Sequence, residues 1–154
     1  MKVQALGAVL IFAVSAGLIL ASTEGWATPS EDEAFGKAAG TYMSAVIALD
    51  LVKQSKCGYA LGNREFPPVD TVWTTEILPA FPPTSREQFA KMWPQLKERL
   101  TAALKTIEPT IGQNYAGDEK TNCGMEAGFA LSIYKQYRDQ WLAAKMKYST
   151  SQGK

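Results

Sequence analysis

Two cysteines, Cys57 and Cys123, are the only ones in the chain, and a bond between them would dictate which helix ends must meet. Whether they pair depends on the compartment. The chain opens Met1-Lys2 and then runs uncharged from Ala5 to Ala21 through Leu6, Val9, Leu10, Ile11, Phe12, Leu18, Ile19 and Leu20, the pattern of an export signal behind a basic start. Small residues at Gly25 and Ala27 predict cleavage before Thr28, so residues 1–27 read as a signal peptide and 28–154 as the helical domain. A cut after Ala21 is the weaker alternative, because bulky Ile19 would occupy a small-residue position. The rival reading is an uncleaved anchor, since the run is close to the roughly 17 residues needed to cross a bilayer. In the oxidising compartment that export implies, a Cys57–Cys123 disulfide is the expected state. Closing so long a loop stabilises a fold by about 4 kcal/mol on the chain-entropy model. The alternative is two free thiols or half of a metal site, and a chain with no histidine is poorly equipped to complete a zinc shell.

Between the cysteines and around them the pattern is helical. Ser30 followed by Glu33 is a capping box. Behind it Phe35, Ala38, Ala39, Tyr42, Met43, Val46, Ile47, Leu49 and Val52 recur at helical spacing, predicting a long one-sided helix that runs to Cys57 and stops at Gly58. Residues 59–83 are broken by Gly62, Pro67-Pro68, Pro79 and Pro82-Pro83 and read as a connector. Inside it, residues 69–78 predict a short helix with Val72, Trp73, Ile77 and Leu78 turned inward. A second long helix follows the overlapping capping boxes Thr84/Glu87 and Ser85/Gln88, carrying Phe89, Trp93, Leu96, Leu100, Leu104 and Ile107 inward. Pro94 predicts a kink or break in it, and Pro109 and Gly112 end it. The last helix is expected to be capped by Thr121 or Asn122, with Cys123, Ala127, Ala130, Leu131, Tyr134, Tyr137, Trp141 and Ala144 inside, and a frayed tail after Tyr148.

These pieces give an all-α fold: a small helical bundle of three long helices plus a short one, with one disulfide. Cys57 ends the first helix and Cys123 begins the last, so their α-carbons must come within about 7 Å. Three helices running up, down and up leave those two ends a helix length apart. Either the 69–78 helix counts, making the order up-down-up-down, or the connector crosses the bundle as an extended segment.

The chemistry is bounded by what is missing. Without histidine, the commonest general base and the Ser-His and Cys-His nucleophiles are excluded. Sixteen basic residues face fifteen acidic ones, and no clustered basic surface forecasts nucleic acid. No glycine-rich phosphate loop is present, and the cysteines are too far apart for a Cys-x-x-Cys redox turn. No cofactor and no metal are therefore expected, and no membrane contact once the leader is removed. Carboxylate catalysis by Asp50, Glu65, Asp70 or Glu76 is the remaining enzymatic reading, although Asp50 is expected on the outer face of its helix.

A leader followed by a compact helical domain with Cys57 and Cys123 at helix ends resembles the small helical periplasmic immunity proteins that neutralise cell-wall amidase toxins. The likeness is one of layout, and no functional residues transfer with it. The expectation is a non-enzymatic, periplasmic or secreted protein that binds another protein, as inhibitor, immunity or secretion-accessory factor. Its contact surface would be the connector residues Arg64, Glu65, Phe66, Trp73 and Glu76, since arginine and aromatics dominate interface hot spots. A second reading is a carrier of a small apolar ligand in a pocket lined by Tyr42, Met43, Val46, Trp93 and Trp141.

Overall fold

The structure, a computed structural model, describes residues 30–152 except 107 and 114. The leader, its cleavage site before Thr28 and the inward placement of Ile107 lie outside the described residues. Four helices are present: α1 (Glu31–Gln54), the short α2 (Val69–Val72), α3 (Pro83–Lys105) and α4 (Glu119–Gln152). No helix among the described residues is long and apolar enough to cross a membrane.

Ser30 caps α1 as its sequence predicts, its hydroxyl accepting from the Glu33 N–H at 3.2 Å. The helix ends at Gln54, earlier than Cys57. Ser55 breaks it by turning extended, donating its hydroxyl to the Val52 carbonyl and accepting from the Cys57 N–H. Gly58 then lies against the end of α1 so closely that a β-carbon there would collide with the Lys53 carbonyl. The expected one-sidedness of α1 is corrected: from Ala39 to Val52 almost every side chain is buried or half-buried. The reason is that α1 is central. One face meets α4, and the opposite face, through Met43, Ile47 and Leu51, packs in one cluster with Val72, Trp73 and Ile77.

The α1–α4 contact is a heptad seam. Phe35, Ala38, Tyr42, Ala45, Leu49 and Val52 step three and four along α1, and Cys123, Ala127, Ala130, Tyr134, Tyr137, Trp141, Ala144 and Tyr148 step four and three along α4, the spacing of coiled-coil packing. Ring contacts show that the two helices run antiparallel: Phe35 meets Trp141 and stacks on Tyr148, centroids 5.0 and 4.2 Å apart, while Tyr42 meets Tyr134. At the other end Cys57 and Cys123 pair, α-carbons 4.8 Å apart.

The short helix counts, and the up-down-up-down order follows. Val72, Trp73 and Ile77 are buried as expected. From α2 the chain continues through a wide π turn (Trp73–Ile77) and a 3-10 turn (Leu78–Ala80) to Phe81, which packs on Phe35 at the start of α1. The widening has a local cause. Pro79 offers no N–H to the Thr75 carbonyl, and the Thr74 and Thr75 hydroxyls donate back to the carbonyls of Asp70 and Thr71.

In α3 the expected capping boxes do not form. Pro83 occupies the first turn, where its missing N–H costs nothing, and no side chain caps the helix. Arg86 reaches back instead, donating to the carbonyls of Phe81 and Pro79 at 2.7 Å each. Nor does Pro94 break the helix, which is continuous to Lys105. Pro94 and Ala90 are both exposed, so the Ala90 carbonyl deprived of its partner faces water. Two further corrections concern α4. Its cap is Asp118, accepting from the Thr121 N–H at 2.8 Å, while Asn122 is buried and pins the preceding loop by accepting from the Tyr115 N–H and donating to the Gly117 carbonyl. Its end is helical through Gln152, because Tyr148 docks on Phe35 and holds the last turns in place.

Candidate functional site

Where α1, α4 and the connector meet, a polar and aromatic cluster interrupts the apolar core. Tyr42, on the α4-facing side of α1, is fully buried, and its hydroxyl donates to the Glu76 carboxylate at 3.3 Å and lies 3.5 Å from the Tyr134 hydroxyl. The wide turn at 73–77 carries Glu76 to this position. One turn beyond Tyr134 on α4, Arg138 lies exposed at the edge of the cluster. Phe66 of the connector closes it from the disulfide side, edge-on to Tyr134 with centroids 6.0 Å apart.

The electrostatics are mutually consistent. Burial, reinforced by the Tyr134 hydroxyl and the Glu76 carboxylate, raises the Tyr42 phenol far above its ordinary value, with Arg138 opposing. Partial burial works against the charge on Arg138, but Tyr42, Tyr134 and Glu76 outweigh it and raise its value. The cluster is thus a neutral buried phenol, a carboxylate and a guanidinium held within one field, with two half-buried rings, Phe66 and Tyr134, beside them.

The five residues expected at the contact surface are distributed unevenly. Arg64 and Glu65 are exposed, and Arg64 donates to the Leu61 carbonyl. Phe66 and Glu76 are half-buried and belong to the cluster. Trp73 is the correction: only 5% of it is exposed, because it stacks on Trp93 with centroids 4.4 Å apart and joins α2 to α3. The same joint uses Asp70, which accepts from the Trp93 indole N–H at 2.9 Å and from Lys97 at 2.6 Å. Asp70 and Glu76, two of the four candidate catalytic carboxylates, therefore hold helices together, and Asp50 is half-buried with the Gln54 amide on it.

No protein-family model, curated protein or solved structure matches the chain. What the site does must be argued from its own geometry. Among the described residues no group of three or more metal-binding side chains is gathered. The residues expected to line a ligand pocket are packed instead: Tyr42 and Trp141 have no accessible surface and Met43 has 1%, so no water-sized void touches the first two. Beside Val46, Leu49, Phe66 and Tyr134 a cavity of about 10 Å³ is room for one water at most.

Tyr42, Tyr134 and Arg138 are the site residues that sequence reasoning missed. Both tyrosines read as core at helical spacing, which they also are. The available signal was Tyr134 and Arg138 one turn apart on α4, a pairing that gains meaning only once Glu76 is carried across to it.

Proposed function

We propose that this chain binds another protein outside the cytoplasm, as an inhibitor, immunity or secretion-accessory factor, and that it does so through the seam of Phe66, Glu76, Tyr134 and Arg138 with Arg64 and Glu65 at the rim. One observation carries the reading: two half-buried aromatic rings and an exposed arginine stand together over a fully buried hydrogen-bonded tyrosine. Aromatic and arginine side chains in that setting are the composition of an interface hot spot. A frame pinned at one end by a disulfide and at the other by stacked rings lowers the cost of ordering them on binding.

Export is part of the same proposal and is supported by the paired cysteines and by the apolar leader. Recovery of the chain from periplasmic or secreted fractions with Thr28 as its first residue is the expected result; recovery with Met1 retained would return the anchor reading.

For binding, the measurement is the affinity for a stoichiometric partner captured by the oxidised chain, compared with the Phe66→Ala/Arg138→Ala variant. Loss of a hot spot is worth at least about 2 kcal/mol, or roughly thirtyfold. Unchanged affinity in a variant of unchanged helicity removes the seam as the contact surface.

A further inference from the structure

On the side of α4 facing away from α1 runs a second lane at the same spacing. Met125, Gly128, Ser132, Lys135, Asp139 and Met146, with Leu142 between the last two, step three and four along the helix and are all exposed. Such steps keep one straight seam on a gently supercoiled helix. Met125, Leu142 and Met146 are 49%, 38% and 67% exposed, three of the four large apolar side chains that stand out to solvent among the described residues. At Gly128 a β-carbon would meet nothing within 4 Å, which leaves room for a close backbone approach.

The lane is complementary to itself in one orientation only. Laid antiparallel on a two-fold copy centred between Lys135 and Gln136, Met125 falls opposite Met146 of the second copy, Gly128 opposite Ala143 and Ser132 opposite Asp139. Each Lys135 then lies within a turn of Asp139 of the second copy, and the two-fold axis makes that pair twice. Laid parallel, Lys135 meets Lys135 and Asp139 meets Asp139, which like-charge repulsion disfavours. We propose that α4 pairs with a second copy of this chain through this lane as an antiparallel two-fold dimer. The seam of the proposed protein contact lies on a different side of α4 and is left open by this pairing.

The register can be read directly by crosslinking. In the full chain, Met125→Cys and Met146→Cys are made singly and together, and a short bismaleimide is added; the native cysteines are paired and fully buried and do not compete. The expected result is a covalent dimer from the double variant and none from either single one. Dimers from the single variants would show parallel packing and overturn the proposal. So would a monomer with both cysteines freely labelled, which leaves the lane bare, or with both protected, which puts another part of the chain or another molecule on it. Sedimentation then tests the charges: Lys135→Glu or Asp139→Lys alone weakens the dimer by about tenfold, and the two together restore it. Single variants that dimerise as the wild type does would equally overturn the assigned register.

Discussion

At Gly112 the backbone has φ +79°, and a β-carbon would lie 2.8 Å from the Cys57 sulfur and 3.2 Å from that of Cys123. The loop between α3 and α4 thus presses a bare α-carbon onto the disulfide and seals it from solvent. Gly112→Ala is expected to cost about 1–3 kcal/mol, combining left-handed strain with displacement of the sulfurs, and to speed reduction of the disulfide by a small thiol. Equilibrium denaturation and a timed reduction check the two parts separately. Tyr42→Phe removes the hydroxyl that Glu76 accepts from and should cost about 1–2 kcal/mol in the same assay. Because the folded Tyr42 phenol is raised, its contribution is intact below the ordinary value of 10.0 and is lost as pH rises beyond it, when the unfolded chain ionises first. Asp70 behaves oppositely. Its hydrogen bonds from Lys97 and then Trp93 lower its value below the ordinary 3.8, so what it adds to the α2–α3 joint is present above that value and is lost as pH falls through the lowered one. In Asp70→Asn the acid limb of the unfolding profile should lose this component, which a pH series of denaturation midpoints reads directly.

Among the elements, α3 gives the plainest test, because Pro94 interrupts its hydrogen-bond ladder on an exposed face without breaking it. Pro94→Ala restores an N–H to the Ala90 carbonyl and should raise stability by about 1–3 kcal/mol; no gain would mean that the proline curves α3 usefully around α1. How far the elements could be read from the residues follows the same local logic. Ser30 and Glu33 mark a start that nothing competes with, and the Val69–Ile77 face was legible because its apolar residues lie in a proline-free window. The start of α3 was misread because Thr84 and Ser85 fit a cap but Pro82-Pro83 had already fixed the backbone. The end of α4 was misread because Ser149, Thr150 and Ser151 look like a frayed tail, while their hydroxyls bond back to carbonyls of the helix that Tyr148 anchors. Burial all round α1 was hidden by Thr41, Ser44 and Asp50, whose polarity suggests an outer face; Ser44 satisfies itself on the Gly40 carbonyl and goes inside. Of the site, Phe66 and Glu76 were legible as functional types in a long connector. Their union with Tyr42, Tyr134 and Arg138 was not, because it depends on how α2 crosses α1.

For the molecule as a whole, the decisive geometry is that one long antiparallel pair, α1 with α4, is tied at opposite ends by different physics. One end is held by Phe35 between Trp141 and Tyr148, an apolar contact that forms and breaks with the fold. The other is held by Cys57 and Cys123, buried with Leu49, Val52, Leu61 and Ile111 in a small core of their own. Replacing both cysteines by alanine should cost about 4 kcal/mol, the loop-closure value for a separation of 66 residues, out of the 5–15 kcal/mol that holds a typical domain together. The loss should also be directional. In the alanine pair, amide exchange is expected to accelerate first in the turn after α1, in the loop before α4 and in the first turns of α4, while amides near Phe35 and Tyr148 keep their relative protection. A uniform loss of protection would mean that the staple acts only on the unfolded chain. A graded one would mean that it also holds the native frame at the end where the connector leaves α1, and so steadies Phe66 against Tyr134.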